Sequence, residues 1–405
     1  MSFLQAFAPH SSNPGSTFSC VRSALEIWQE TQNMAFEISY NARIRKSPFF
    51  DCTVEEGVRA FTTYNQMLMP AHYGDPEGEY WRLIDGVSMW DVSVERQVQI
   101  SGPDAAKMVQ LLIPRDVSKV KVGRGRYAPI SDAQGRLLND PVLLRLNEYT
   151  YWLSLADSNI WLWARGVAYG LGLDVDITEP DVSPLAIQGP KSFDVTASIF
   201  GDWIRELPYF AFKEVEIEGI KAVVARSGWS HQGGLEIYLE GGQNGRKLWN
   251  IVKEAGQPWD IAPGTPHSVE RVESALLSYG TDNRTDSNAL ELGLGRFIDL
   301  DMEPDFVGKK ALRRVRYEGT MRRRTGLFIE ADRLAPAEEH WPVMVDGVQA
   351  GVCTIAVWSL RLERNIAIAL IDNEFDDGAD FVVQTPDGAR KASETSLPFC
   401  KPGRI

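Results

Sequence analysis

The chain has 405 residues, 44% of them hydrophobic, enough to bury a large core and to divide into about two or three domains. A formal charge of −13 argues against a general nucleic-acid surface, which needs an excess of lysine and arginine, and favours solubility instead. No run approaches the roughly 18 apolar residues that cross a bilayer, the start lacks the basic region and apolar core of a secretory signal, and Cys20, Cys52, Cys353 and Cys400 show neither metal nor disulfide spacing; the reading is a cytoplasmic protein with free thiols, no metal and no membrane or nucleic-acid partner.

Residues 1–33 open on Pro, Ser, Asn and Gly and then carry a short helical pattern, SALEIWQE. They read as an N-terminal extension without chemistry, with Met34 as an alternative start. RIRKSPF, from Arg43 to Phe49, reads as a solvated basic arm. Further on, RQVQISGPDAAKMVQLLI alternates as a strand through Ile100, stops at Gly102 and opens a helix with Pro103 in its first turn, where a missing N–H costs nothing. SPLAIQGPKSF repeats that grammar at Gly189-Pro190. Two such units suggest two similar α+β halves facing each other, with a cleft between them as the ligand site. The stretch between the units reads as a meander with turns at DAQG and NEYT, followed by a helix capped near Asp157 or Ser158. Within it, Asn139-Asp140-Pro141 interrupts an apolar strand, as either a turn or bulge or an acid turned inward to a ligand.

ARSGWSHQGGLEIYLE, from Ala225 to Glu240, reads as strand, glycine-punctuated loop, strand. Glu236 and Tyr238 are two apart and so share a face, and Gly233-Gly234 allows a sharp turn or a close backbone approach. A carboxylate, Trp229 and a phenol around one loop can grip a flat, donor-rich heterocycle; a packed hairpin with a solvated acid explains them equally well. Later, eight basic residues lie between Lys309 and Arg324, read as a solvated helix and linker. From Thr325 onward, short strands at close spacing suggest a small β-barrel or sandwich.

No HExxH, GxSxG elbow, P-loop or GxGxxG fingerprint occurs, and only five histidines are present, which disfavours metallohydrolase, serine hydrolase, kinase and Rossmann chemistry. What remains is a reaction that depends on binding and alignment.

Six segments, YNQMLMP, MWDVSVERQVQISG, YAPISDAQGRLLNDP, SPLAIQGPKSF, ARSGWSHQGGLEIY and ERVESALLSYG, followed by DFVGKKAL, resemble in order the folate-dependent transferases related to the T-protein of glycine cleavage. Within that family the resemblance is to its dimethylsulfoniopropionate-demethylating branch. It implies an α+β, T-protein-like fold: residues 34–93 with 183–280 as one folate-binding half, 94–182 with 281–318 as the other, and 319–405 as a β-barrel domain. It also implies tetrahydrofolate as cofactor and a small-molecule methyl donor as partner; a homodimer is left open. Glu236 would accept hydrogen bonds from the pterin donors. Tyr127, Asp140 and Tyr238 would complete the cofactor site, with Asp140 as the catalytic group near the reacting end. Trp229, Tyr238 and Gln66 would meet the substrate, the indole facing a sulfonium.

The implied reaction moves a methyl group from dimethylsulfoniopropionate to folate N5, giving methylthiopropionate and 5-methyltetrahydrofolate. Alternatives are another donor (a methylated amine, an aryl methyl ether, an aminomethyl-lipoyl protein) or a non-catalytic folate-binding module. Departures from the branch's expected residues at Gln66, His231, Leu235 and Thr265-Pro266-His267 leave the donor less firmly indicated than the folate. Pattern does not choose among Arg226, Lys191 and the basic run as partner for a donor carboxylate.

Overall fold

A computed structural model describes residues 41–376 and 378–401; the readings made for residues 1–33, including Cys20, lie outside the described residues. The two strand-Gly-Pro-helix units form as their sequences dictate. Strand Gln97–Ser101 leads to helix Ala105–Leu112, and strand Val182–Gln188 to helix Ser192–Phe200. Gly102 and Gly189 sit at φ +123° and +116°, and a Cβ at either would come within 2.8 Å and 2.6 Å of a backbone oxygen, of Asp174 and Gly86 respectively. Only glycine makes both corners without strain.

Each unit anchors a sheet. The first has six strands in the order Phe212–Ile217, Ile220–Ala225, Gly234–Glu240, Val182–Gln188, Ser88–Asp91 and Ala262–Gly264. The second has five, in the order Asp176–Thr178, Gln97–Ser101, Thr150–Ser154, Val142–Arg145 and Arg124–Tyr127. One face of the first sheet is covered by Val195, Leu248, Trp249 and Val252 of two helices. One face of the second is covered by Met108, Val109, Ile160 and Ala164 of two others. A smaller apolar cluster joins Leu144 and Trp152 of the second sheet to Phe212, Val223 and Tyr238 of the first. The helix after the meander begins at Ile160, one or two residues later than expected, because Asn159 supplies the cap by accepting from the Leu162 N–H at 3.4 Å.

The C-terminal strands close into a six-stranded barrel in the order Arg322–Ile329, Arg364–Asp372, Val348–Ser359, Trp341–Val345, Phe381–Thr385 and Gly388–Thr395. It docks on helix Ser268–Glu273 through Val272 against Val357, Ile366 and Ile368. Beside that apolar contact the buried Glu273 carboxylate accepts from Tyr80 Oη at 2.7 Å, Ser359 Oγ at 2.5 Å and Arg361 Nε at 2.7 Å. Arg271 and Glu273 are therefore held in separate internal ion pairs, with Asp282 and Arg361.

The basic run is only in part the solvated helix and linker expected of it: Lys310, Arg313, Arg314 and Arg316 are exposed on helix Lys309–Glu318, whereas Lys309 and the three arginines that follow the helix are drawn into the protein. Lys309 is buried, its ammonium donating to the carbonyls of Met302 and Pro304 at 2.6 and 2.7 Å. Arg322 is buried against Glu291 at 2.9 Å, and Arg323 pairs with Glu394 at 2.8 Å. Charge density along a sequence does not reveal these partners, which come from distant positions in the chain.

Candidate active site

A cleft of about 1390 Å³ is lined by both sheets, their connecting loops and the barrel. It exceeds the size of most single-ligand pockets and has room for two small molecules side by side. Four acids line it: Asp157 is exposed and accepts from Asn65 N at 2.7 Å, and Glu95, Asp140 and Glu236 are the enclosed carboxylates.

Glu236 lies on strand Gly234–Glu240, 3% exposed, opposite Ala186 and Ala225 on the flanking strands. The small neighbours leave its carboxylate reachable from the cleft. One oxygen accepts from Ser227 Oγ and from Tyr238 Oη. Burial raises its pKa, opposed by those two hydrogen bonds.

The loop that delivers Ser227 and Trp229 is held by Gln188, a residue to which sequence pattern gives no special place. Its buried amide accepts from Ser230 Oγ at 2.7 Å and donates to Ser227 O at 3.3 Å. A Cβ on Gly228 or Gly234 would come within 2.0 and 2.3 Å of the same amide, so these two glycines are there to let Gln188 in.

Asp140 stands in the break between strands Leu137–Asn139 and Val142–Arg145. The break and the inward acid are thus both present. Its Oδ2 accepts from Tyr127 Oη at 2.7 Å, while Oδ1 is buried without a hydrogen-bond partner. Burial pushes its pKa up to about 7, against the Tyr127 hydrogen bond and helped by the charge of Asp282. Neighbouring Asn139 faces away and clamps the next strand's exit, accepting from Ala156 N at 3.0 Å and donating to Ala156 O at 2.9 Å and Ser158 Oγ at 2.8 Å. Tyr127 lines the cleft with its ring edge-on to Phe297 at 4.6 Å.

Sequence pattern does not single out Glu95. It sits in the short turn that carries the chain from strand Ser88–Asp91 of the first sheet to Gln97–Ser101 of the second, and it faces the cleft with Ser154 Oγ as a long donor at 3.4 Å. Burial first, then the charges of Glu236 and Asp140, raise its pKa well above the carboxylate range. Only the fold brings these acids together; the available signal is an acid closing an apolar run, DVSVE.

Trp229 lines the cleft and donates from Nε1 to Leu277 O at 3.2 Å. His231 is also on the wall, its pKa lowered by burial and by Arg296. Two expected contacts are corrected. Tyr238 shares a face with Glu236 but is fully enclosed, packed against Trp152 at 6.3 Å in the cluster that joins the sheets; one pleat further along the strand, that face is covered by the second sheet. It bonds to Glu236 from behind and does not line the cleft. Gln66 is exposed in a two-residue hairpin turn, φ 48° and 60° at Asn65 and Gln66, and lines an adjoining hollow with Arg43, Arg45 and Arg96 instead. Leu235, one of the departures, lies in the apolar core of the first sheet.

Among the described residues no helix is long and apolar enough to cross a membrane. In fold, the chain is similar to the glycine cleavage system aminomethyltransferase T of Bartonella henselae, with a TM-score of 0.79 at 20% identity, over 89% of this chain and 99% of that one. In sequence, it is 40% identical to the dimethylsulfoniopropionate demethylase DmdA of Ruegeria pomeroyi over 86% of this chain and 95% of that protein. It is 29% identical to an aminomethyltransferase of Symbiobacterium thermophilum over 89% and 98% of the two chains. The GCVT N-terminal domain matches residues 49–302 and the glycine cleavage T-protein C-terminal barrel domain matches residues 322–401. With both domains of one family present in order and a relative this similar along most of its length, the chain belongs to the glycine cleavage T-protein family of tetrahydrofolate-dependent one-carbon transferases.

Proposed function

We propose that this enzyme is a tetrahydrofolate-dependent demethylase that takes a methyl group from dimethylsulfoniopropionate and releases methylthiopropionate. The observation that carries the reading is the convergence of Glu95, Asp140 and Glu236 on one roomy cleft walled by Trp229, joined to the 40% identity with a dimethylsulfoniopropionate demethylase.

The residues fit a reduced pterin. That ring presents several N–H donors, and the cleft offers carboxyl acceptors, including a buried Asp140 oxygen that no protein donor satisfies. When bound, tetrahydrofolate supplies the N5 amine as nucleophile and methyl acceptor. Glu236, its geometry fixed by Ser227 and Tyr238, accepts from the pterin amino and N3–H groups and so sets the ring's orientation. Trp229 lays an indole face against the sulfonium, an interaction of about 2 kcal/mol once water is excluded.

The sulfonium needs no acid, because a neutral thioether leaves. Alignment of nucleophile, methyl carbon and sulfur supplies the larger share of the rate, roughly 7–11 kcal/mol for a well-oriented pair. Asp140, poised near pH 7, stabilises positive charge as it develops on the attacking amine and takes up the amine's proton after transfer. Atoms balance: one methyl group passes from sulfur to nitrogen, the C–S electron pair stays on sulfur, and one proton goes to Asp140 and then to solvent.

The purified protein, given tetrahydrofolate and separately dimethylsulfoniopropionate, a methylated amine, an aryl methyl ether and an aminomethyl-lipoyl protein, is expected to make methylthiopropionate from the first. Turnover of another donor in its place refutes the substrate assignment, and folate binding without any turnover refutes the enzymatic one.

A further inference from the structure

We infer that Arg324, carried into the cleft by the barrel, is the binding group for a carboxylate on the methyl donor, so that the enzyme selects zwitterionic donors over simple sulfonium cations. The inference rests on the proposed demethylase activity and names the donor class more closely.

Strand Arg322–Ile329 begins with three arginines, two of which are matched by acids: Arg322 by Glu291 and Asp286, Arg323 by Glu394. Arg324 is different. Its side chain is 8% exposed and lines the cleft. Its terminal nitrogens donate to the neutral carbonyls of Ala275 at 3.2 Å and Leu276 at 3.4 Å. The nearest carboxylate, Asp282, is reached only at 3.5 Å and is already engaged by Arg271 at 3.0 and 2.9 Å, by Ser278 N at 3.0 Å and by Thr354 Oγ1 at 3.4 Å. Two buried guanidiniums therefore share one acid, and Arg324 Nε is buried with no partner at all. An incompletely compensated buried cation is costly, and because this one belongs to a residue that lines the cleft, an anion entering the cleft would complete it.

The cleft thus has two poles. Glu95, Asp140 and Glu236 form the negative one. Arg324 forms the positive one beside Arg271, which also lines the cleft but is matched by Asp282; Arg324 is close enough to Tyr127 for each to influence the other's ionisation. A small molecule with a cationic methyl donor at one end and a carboxylate at the other is complementary to both. The glutamyl carboxylates of folate are the competing source of that anion. For these an exposed partner is at hand in Arg296, which also lines the cleft and lies over the Phe297 ring at 4.6 Å; which of the two sources Arg324 serves is decided by separate donor and folate measurements. Of the other candidates for the carboxylate, Arg226 is turned to Leu207 O and the Phe193 ring and Lys191 is exposed away from the cleft lining.

The test compares wild type with Arg324→Met, which removes the unbalanced charge, and Arg324→Lys, which keeps a cation without the planar fork. Each is assayed with dimethylsulfoniopropionate and with trimethylsulfonium, and tetrahydrofolate affinity is measured separately. Arg324→Met is expected to raise KM for dimethylsulfoniopropionate by about 10- to 100-fold, to leave trimethylsulfonium turnover and folate affinity within about twofold, and so to erase the preference for the carboxylated donor; Arg324→Lys is expected to fall between. Weakened folate binding with an unchanged donor KM would assign Arg324 to the folate tail and overturn the inference, as would no change in either. If the wild type demethylates no sulfonium, the underlying demethylase assignment fails on its own. Calorimetric binding of methylthiopropionate then decides the anion site: binding lost in Arg324→Met supports it, and absent or unaltered binding overturns it.

Discussion

Replacing Glu236 by Gln keeps the shape of the side chain and removes its charge, and the cost of that change can be worked from its hydrogen bonds. The carboxylate takes Ser227 and Tyr238 on one oxygen, leaving acceptor capacity for the ligand. An amide in its place offers a single oxygen and turns an NH₂ group toward donors. Hydrogen bonds to a charged group contribute roughly 1.5–3 kcal/mol each, so tetrahydrofolate affinity is expected to fall by about 10- to 150-fold, nearer the upper figure where donor meets donor.

Stability should move the other way. Burial raises the Glu236 pKa above its ordinary 4.5, so its stabilising contribution is complete below that value and is lost as pH rises toward the folded-state pKa. Gln has no such loss, and the variant is expected to be at least as stable as wild type at pH 7, with the difference shrinking as pH falls toward 4.5. Fluorescence titration with tetrahydrofolate and denaturant melts at pH 5 and 7 measure the two effects separately. Unchanged folate affinity in a folded variant would remove Glu236 from the binding site and the pterin placement with it.

Tyr127→Phe deletes the hydrogen bond that holds the Asp140 pKa down. The wild-type acid limb of kcat/KM is expected near pH 7 and should move to higher pH in the variant, whereas a pH profile that stays in place excludes Asp140 as the ionising group. Trp229→Leu is expected to cost about 2 kcal/mol, or about 30-fold, in kcat/KM for a sulfonium donor while folate affinity holds; equal losses in both would mean the indole serves the loop and not the cation. Asn139→Ala leaves buried backbone groups at Ala156 without their partner and is expected to destabilise by roughly 2–4 kcal/mol in denaturant unfolding, with the cleft's ligand affinities unaffected under native conditions.

The elements written in local grammar were legible. Gly102-Pro103 and Gly189-Pro190 announce strand-to-helix corners because a positive φ and a missing N–H are properties of those residues themselves. The closed barrel likewise arises from closely spaced strands and turns. Glu236 and Tyr238 share a face as period-two alternation requires, yet alternation does not say where along the strand the opposite sheet closes over that face. Trp152 does so at Tyr238 and not at Glu236. Glu95 and Gln188 escape notice, and Arg324 is not singled out within the basic run, for the same reason: each owes its role to groups remote in sequence. For Arg324 a hint exists, since carrying the barrel's first strand back to Arg322 puts alternate arginines on opposite faces, a pattern a solvated linker would not need.

The cleft's charges come from separate bodies, and this bears on how the enzyme can discriminate. Glu236 belongs to the first sheet, Asp140 to the break at the edge of the second, Glu95 to the turn between them, and Arg324 to the barrel. In isolation each would be a solvated charge worth little; enclosed, all three acids have their pKa raised by burial, and that of Glu95 further by Glu236 and Asp140, so a complementary ligand stabilises them beyond what Ser227, Tyr238 and Tyr127 already provide. A cation beside the acids lowers the cost of ionising them, and an anion at Arg324 completes a guanidinium that Asp282 half-serves. On the proposed demethylase reading, binding energy from the donor's unreactive end would then be available to align its methyl carbon with the nucleophile, which is where an enzyme that relies on neither a strong acid nor a strong base must find its rate.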